Sequence, residues 1–285
     1  MPILGIIASQ ISGHLSAPVS VDILVVAGGG GGSARLSGAG GAGGLRTSTQ
    51  TVSSNNIFTI TVGGGGNAGV STSNQPGPGT NGQTSSITGT SLTTVSCTGG
   101  GRGGTYQGTD AESGGSGGGG AGNTNLTAGL GTSGEGNAGG DGSTSTASGG
   151  GGGAGAVGQA GSARGYQLGG NGGDGVTSSI TGTSIYYAGG GGGCAGPNAD
   201  APDAGTGGLG GGGNGGGPSV QSGTANLGGG GGGTRNDNTT AGAGGSGVVI
   251  IRATQAAALT TGSPIATTSG GYYIYKFTGS GSIKY

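Results

Sequence analysis

Apolar positions along this chain come in short bursts, and most bursts run directly into glycine. Val21 to Val26 is apolar on both faces, with Val21, Ile23 and Val25 on one side and Leu24 and Val26 on the other. Val248 to Ile251 is likewise apolar throughout, and two such runs predict strands covered on both faces that share one small core. Ile57 to Val62 alternates instead, with Phe58, Ile60 and Val62 set against Thr59 and Thr61, which predicts a strand with one face toward solvent or a polar neighbour. The closing stretch YYIYKFTGSGSIKY also alternates, placing Tyr273, Tyr275 and Phe277 on one side. Its GSG at 279–281 has the form of a hairpin loop, so residues 253–285 are expected to be a C-terminal β-hairpin packed on the rest.

One pattern occurs twice. TSSITGTS stands at 84–91 and again at 177–184, each time after a Gly/Asn-rich lead-in and each time followed by apolar residues and a glycine run. A strand, a turn, a second strand and a glycine segment therefore form a reused unit, and VDILVVAGGGGG ends the same way. Glycine runs recur near 28, 63, 99, 117, 149, 189, 207 and 228, separated by irregular polar stretches such as PNADAPD and TRNDNTT. Regular runs alternating with polar stretches predict rods joined by loops.

Composition sharpens that picture. Of 285 residues 88 are Gly and only 6% are charged, while Leu, Ile, Val and Phe make up about 15%, below the roughly 20% under which burial of side chains alone does not fold a chain. High net charge, the companion sign of disorder, is absent at −1. Such a chain either stays a low-complexity coil or satisfies its backbone without side chains. Collagen is excluded, because runs of five or six glycines break a strict three-residue register and Pro numbers only eight. What remains is a left-handed helix of three residues per turn with no internal hydrogen bonds. Lacking side chains, such helices can approach closely enough to bond each other's peptide groups. The expected fold is thus mostly irregular and β: a polyglycine II bundle over residues 21–252 with short strands at both ends and in the internal repeat, and essentially no α-helix. The competing reading is a flexible Gly/Ser linker.

Candidate chemistry is sparse. GGGGGS after a strand imitates a dinucleotide-binding turn, but SARLSGAGGAGGLR cannot supply the helix that such a site needs. No Gly-Lys-Ser/Thr is present, and a phosphate loop is excluded. GGNGGDGVT at 169–177 fits a calcium-binding nonapeptide with Asp174 as ligand; one copy cannot hold an ion that sits between turns, and GNAGGDGST at 136–144 departs from the pattern. No cofactor or metal is expected. His14 is the sole histidine, and the carboxylates are scattered, Asp110 with Glu112 and Asp200 with Asp203 being the nearest pairs. No enzyme activity is expected. Basic residues form no cluster, which argues against nucleic acid. ILGIIA near the N-terminus is too short to span a bilayer. Cys97 and Cys194 lack metal-site spacing; they could pair or remain two small buried thiols.

The polar stretches do offer recognition chemistry. Arg102, Tyr106, Asp110, Arg164, Tyr166, Asn198, Asp200, Arg235, Asn236 and Asp237 are flat or hydrogen-bonding side chains on or beside bare backbone, and they are the candidate receptor-binding residues. Tyr186 and Tyr187 are expected to pack in a strand.

VDILVVAGGGGGS, IFTITVGGGGNAG, SIYYAGGGGG and GGSGVVIIR followed by GGYYIYKFTGSGSIKY together resemble the glycine-rich domain of bacteriophage tail-fibre and adhesin proteins, especially those of marine phages. The likeness covers residues 21–285. It implies a virion protein whose loops, on a polyglycine II sandwich, contact a host cell-surface glycan or outer-membrane protein, alongside other virion tail proteins and with a homo-oligomer allowed. Residues 1–20 would be the attachment or oligomer contact. Two other readings stand beside it: a structural fibre or self-assembling extracellular filament subunit, and an ice-binding protein, which would need one face regularly lined by small residues.

Overall fold

The computed structural model describes residues 18–73, 75–123, 127–162, 167–196, 203–216 and 220–285. Of the expected attachment segment, residues 1–17 lie outside that set, and Val19 and Ser20 already belong to the first strand. The described residues form no α-helix and twelve strands: β1 (Val19–Val26), β2 (Leu45–Val52), β3 (Ile57–Thr61), β4 (Ser85–Gly89), β5 (Val95–Cys97), β6 (Val176–Ser178), β7 (Ile185–Tyr187), β8 (Val248–Ala253), β9 (Leu259–Thr261), β10 (Ile265–Ser269), β11 (Tyr272–Phe277) and β12 (Gly281–Lys284).

Two five-stranded antiparallel sheets pack face to face, one in the order β10-β11-β8-β1-β2 and the other β5-β4-β3-β12-β9. The two strands apolar on both faces, β1 and β8, are direct neighbours, with Ile23 opposite Ile251 and Val25 opposite Val249. Their odd-numbered side chains meet Phe58, Ile60, Ile87 and Ile283 of the second sheet in one core, joined by Tyr275 and Phe277. Their even-numbered side chains, Leu24, Val26, Val248 and Ile250, form a second core with Ile274, Ile180 and Tyr187. Burial on both faces explains the absence of alternation in these strands. In β3 the expected alternation is present, with Phe58 and Ile60 buried and Ile57, Thr59 and Thr61 exposed.

The repeat has a spatial meaning. Both copies form an antiparallel hairpin, β4–β5 and β6–β7, that feeds a glycine run. The first copy supplies Ile87 to one core and the second supplies Ile180 to the other. The two units thus clamp the β1–β8 pair from opposite faces.

The C-terminus corrects the hairpin expectation. β11 pairs with β10 and β8 in one sheet, whereas β12 pairs with β3 and β9 in the other. The GSG segment therefore carries the chain from sheet to sheet, and the turn that makes a hairpin is Gly270–Gly271, both at positive φ. Residues 253–285 are woven into both sheets rather than packed on them as a unit. Tyr273 is exposed, while Ile274, from the alternate face, is buried in the second core.

The glycine segments follow a three-residue rule that residues 27–34 make plain. Gly28, Gly31 and Ala34 donate their N–H groups to Gln83, Thr80 and Gly77; Gly29 and Gly32 donate to Gly245 and Gly242; Ala27, Gly30 and Ser33 donate to Gly44, Gly41 and Gly38, all at 2.8–3.1 Å. Every third N–H goes to the same neighbour, and the partner number falls by three each time, so these three neighbours run antiparallel. Carbonyls do the reverse: Gly28 and Gly31 accept from Gly100 and Gly103, Gly29 and Gly32 from Gly66 and Gly69, and Gly30 and Ser33 from Gly231 and Thr234, rising by three and hence parallel. Three accepting and three donating segments surround the thread, which makes no bond within itself. Residues 38–44 likewise bond to six neighbours at three-residue spacing, 98–104, 228–231, 149–152, 116–119 and Gly191 in addition to 27–33, but here 149–152, an accepting segment, runs parallel while 27–33 and 116–119, which donate, run antiparallel.

Space, not conformational freedom, demands glycine here. A Cβ on Gly28, Gly29, Gly30, Gly31 or Gly32 would stand 2.0–2.2 Å from a carbonyl oxygen of an adjacent segment, closer than any real contact. None of these five glycines has a positive φ. Neighbouring peptide planes therefore take the place that side chains fill in an ordinary core, and the bonds between segments satisfy every N–H of residues 27–34.

Candidate recognition site

The directions of the bonded segments sort the connections between two ends. At one end the threads enter strands: residue 28 follows β1, 44 precedes β2, 63 follows β3, 99 follows β5 and 247 precedes β8. Because 27–34 runs antiparallel to 38–44, 77–83 and 242–245 and parallel to 66–69, 100–103 and 231–234, the connecting residues 35–37, 70–73, 75–76, 105–110 and 235–240 all lie at the other end. The same reasoning through 149–152 and Gly191 places 143–147 and the neighbourhood of Cys194 there too.

These loops hold one another. Arg35 Nε lies 2.7 Å from Asp237 Oδ1, and its guanidinium stands 5.2 Å over the Tyr106 ring. Asn123 Nδ2 donates to the Tyr106 hydroxyl at 3.2 Å, and the Tyr106 N–H donates to Ser37 Oγ at 3.3 Å. Leu36 N–H donates to Arg235 O, Gly122 N–H to Leu36 O, and Arg235 Nη1 to Gly196 O. Ser71 Oγ and Thr239 Oγ1 both donate to Asn236 O, and Ser73 N–H donates to Asn238 Oδ1. Loops distant in sequence thus present one connected surface with a Tyr ring, a guanidinium, a carboxylate and carboxamides.

Backbone conformation at this end inverts that of the threads. Arg35, Leu36, Ser73, Gln107, Asn123, Thr146, Gln167 and Asn238 all adopt positive φ. Glycine would fit those positions without cost, whereas a side chain costs about 1 kcal/mol or more. A chain this rich in glycine keeps side chains where glycine would be the easier residue.

The candidate residues divide. Tyr106, Arg235, Asn236 and Asp237 are drawn into the surface just described, and Asp110 is exposed on the neighbouring 105–110 loop. Arg164, Tyr166, Asn198 and Asp200 lie outside the described residues. Arg102 ties segments together: its Nη2 lies 2.9 Å from Glu112 Oε1, its Nη1 donates to Thr109 Oγ1, and its side chain is only 12% exposed. Asn81 donates to the other oxygen of Glu112 at 2.6 Å. That bond together with Arg102 holds the Glu112 carboxyl below the ordinary range in spite of partial burial. Arg35 and Asn123 join the same surface although the sequence reading did not single them out, and for Arg35 there was a signal: SARLSG interrupts two glycine runs as TRNDNTT does.

Other polar groups serve the frame. Asp174 is a structural acceptor, its Oδ1 receiving Leu209 N–H at 2.8 Å and its main-chain oxygen receiving Gly155 and Ala156. Among the described residues no group of three His, Cys, Asp or Glu side chains is placed to hold a metal ion. Cys97 and Cys194 are both free and buried. A groove of about 730 Å³ opens away from the loops, along β2, between Arg46, Ser48, Gln50, Thr93 and Gly134.

A family model described as a glycine-rich domain matches residues 11–254 of the chain. No curated protein and no solved structure matches it.

Proposed function

The chain belongs to the glycine-rich domain family, and from that premise we propose that it is a bacteriophage tail-fibre or tail-tip adhesin without enzymatic activity. In this reading the bonded glycine threads are polyglycine II helices, and the loops at their free end bind a host cell-surface glycan or outer-membrane protein. Its place is the virion tail, beside other tail proteins.

The observation that carries the reading is the concentration of side chains in left-handed backbone at the loop end, above a lattice that excludes side chains. Tyr106, Arg35, Asn123 and Asp237 supply a flat ring and fixed donors and acceptors, the means by which loops recognise sugars and polar protein surfaces. The polarity of the chain fits as well: β1 runs toward the glycine lattice, so Pro18 leaves from the end remote from the loops.

Purified protein incubated with a panel of marine bacterial cells and with arrayed surface glycans tests this. Binding is expected to one subset of cells or glycans, and to weaken at least about tenfold in a Tyr106→Ala, Asp237→Ala double variant of unchanged stability. No binding across the panel, or binding that the double variant retains, overturns the adhesin reading. The second reading, a filament subunit, draws on the open strand edge at β10; continuous filaments of the isolated chain under the electron microscope would select it.

A further inference from the structure

The two sides of the sandwich are finished differently. On the β2/β5 side, bonds bridge the two sheets: Gln50 Nε2 donates to Thr93 O and Thr93 N–H donates to Gln50 Oε1, both at 2.8 Å, and Ser53 N–H donates to Ser91 Oγ at 3.2 Å. On the other side, among the described residues, both sheets end open: β9 pairs there only with β12 and β10 only with β11. Among the described residues β10 makes no backbone bond beyond β11.

Apart from its short length and Pro264 just before it, β10 lacks the usual safeguards of a free edge. Its five residues, IATTS, are all exposed, carry no charge and include no Pro or bulge. Half of its peptide groups point away from β11 as unpaired donors and acceptors. Ile265, 56% exposed, adds apolar surface at one end of the strand, and Leu259 of β9 does the same on the adjoining edge at 56%.

We propose that β10 is the contact through which two copies of this chain associate, pairing antiparallel about a two-fold axis at Thr267. This register uses the whole strand, setting Ile265 against the partner's Ser269 and Ala266 against the partner's Thr268. It also keeps the β9 sheets of both copies on the same side, so that the neutral β9 edges approach together, and no like charges face each other across the axis. A slip of one residue would turn one sandwich over and separate the β9 edges. The contact is isologous and closes at two copies, in contrast to a filament.

Light scattering after size exclusion, over a range of concentrations, should show a concentration-dependent dimer for the wild-type chain. Thr267→Lys sets two ammonium groups against each other on the axis and should give a monomer with an unchanged far-ultraviolet spectrum. Thr267→Cys should oxidise to a covalent dimer, because residues directly opposite in an antiparallel pair lie about 4.5–5.5 Å apart, within disulfide reach. Cys97 and Cys194 are buried and do not compete. Thr51→Cys, on the far edge strand β2, is the collision control. A monomer at every concentration, a dimer that survives Thr267→Lys, or cross-linking no faster than the Thr51→Cys control would each overturn the proposal.

Discussion

At the scale of single residues the chain uses glycine for two separable reasons, and substitution tells them apart. At Gly30 the need is steric, since a Cβ would meet the Gly101 oxygen at 2.2 Å and the peptide plane behind it cannot yield without breaking its own bonds. Gly30→Ala is therefore expected to cost about 3 kcal/mol or more. Gly279 has no heavy atom within 4 Å of a built Cβ and no positive φ, so Gly279→Ala should be neutral or stabilising by up to about 1 kcal/mol. Denaturant unfolding of both variants checks the contrast, and equal effects would refute the steric account. Alanines that do occur inside, Ala27, Ala39 and Ala42 among them, are fully buried and mark places where the lattice leaves room for one carbon.

Among the elements, β5 couples the sandwich to the threads, and its last residue gives the fold a pH signature. Cys97 Sγ–H donates to Val25 O of β1 at 3.4 Å, and Glu135, 6% exposed, accepts the following Thr98 N–H at 2.7 Å while its other oxygen lies 3.2 Å from Arg46 Nε. Burial, aided by the Glu135 carboxylate, pushes the Cys97 thiol up to about 12. Below about pH 8.5 the thiol is protonated in folded and unfolded chains alike, and full stability is present. As the pH rises from there toward the folded value, only the unfolded chain ionises. Stability then falls by up to roughly 1.4 kcal/mol per pH unit for this thiol. Buried Cys194 and Tyr285, both raised by burial, act in the same direction. Denaturant midpoints between about pH 8 and 11 should decline less steeply in Cys97→Ala than in wild type, and parallel declines would contradict the assignment.

For the molecule as a whole, cohesion comes from two unlike interiors in series. The sandwich is held by side-chain burial and the lattice by main-chain hydrogen bonds between segments far apart in sequence. Each glycine loses more backbone freedom on ordering than any other residue, so the lattice stands only where nearly every peptide group is paired. Native-state amide exchange should show residues 28–32, 40–43 and 229–233 protected to within about tenfold of β1 and β8, with residues 107–110 exchanging freely. Fast exchange through the glycine runs would mean that the sandwich stands alone. Arg252, bonded to Asp22 at 2.8 Å and stacked 4.9 Å from the Tyr272 ring, and Arg46 on Glu135 tie surface elements together, but partly exposed pairs of this kind add little beside the two interiors.

Composition and pattern pointed to a chain with strands at its ends, a reused hairpin-plus-glycine unit and an interior built from backbone, with a flexible linker as the alternative for the glycine runs. A burial-based core needs more apolar side chains than this chain has, and the doubly apolar runs at 21–26 and 248–251 have no other stable place than the middle of a covered sheet. β2, β9 and β10 escaped notice because LRTSTQTV, LTT and IATTS carry too few buried positions to alternate, each lying at an edge with solvent on at least one side. The exchange of β11 and β12 between sheets was equally hidden, since a Gly-Ser-Gly connection suits a hairpin and a crossing alike and only the partners on each side distinguish them. Which segments neighbour which was beyond any local reading: identical glycines carry no address, and the order of the lattice is imposed by the strands that anchor its threads at one end. That anchoring brings Arg35, Tyr106, Asn123 and Asp237 together, and it turns Arg102 inward toward Glu112.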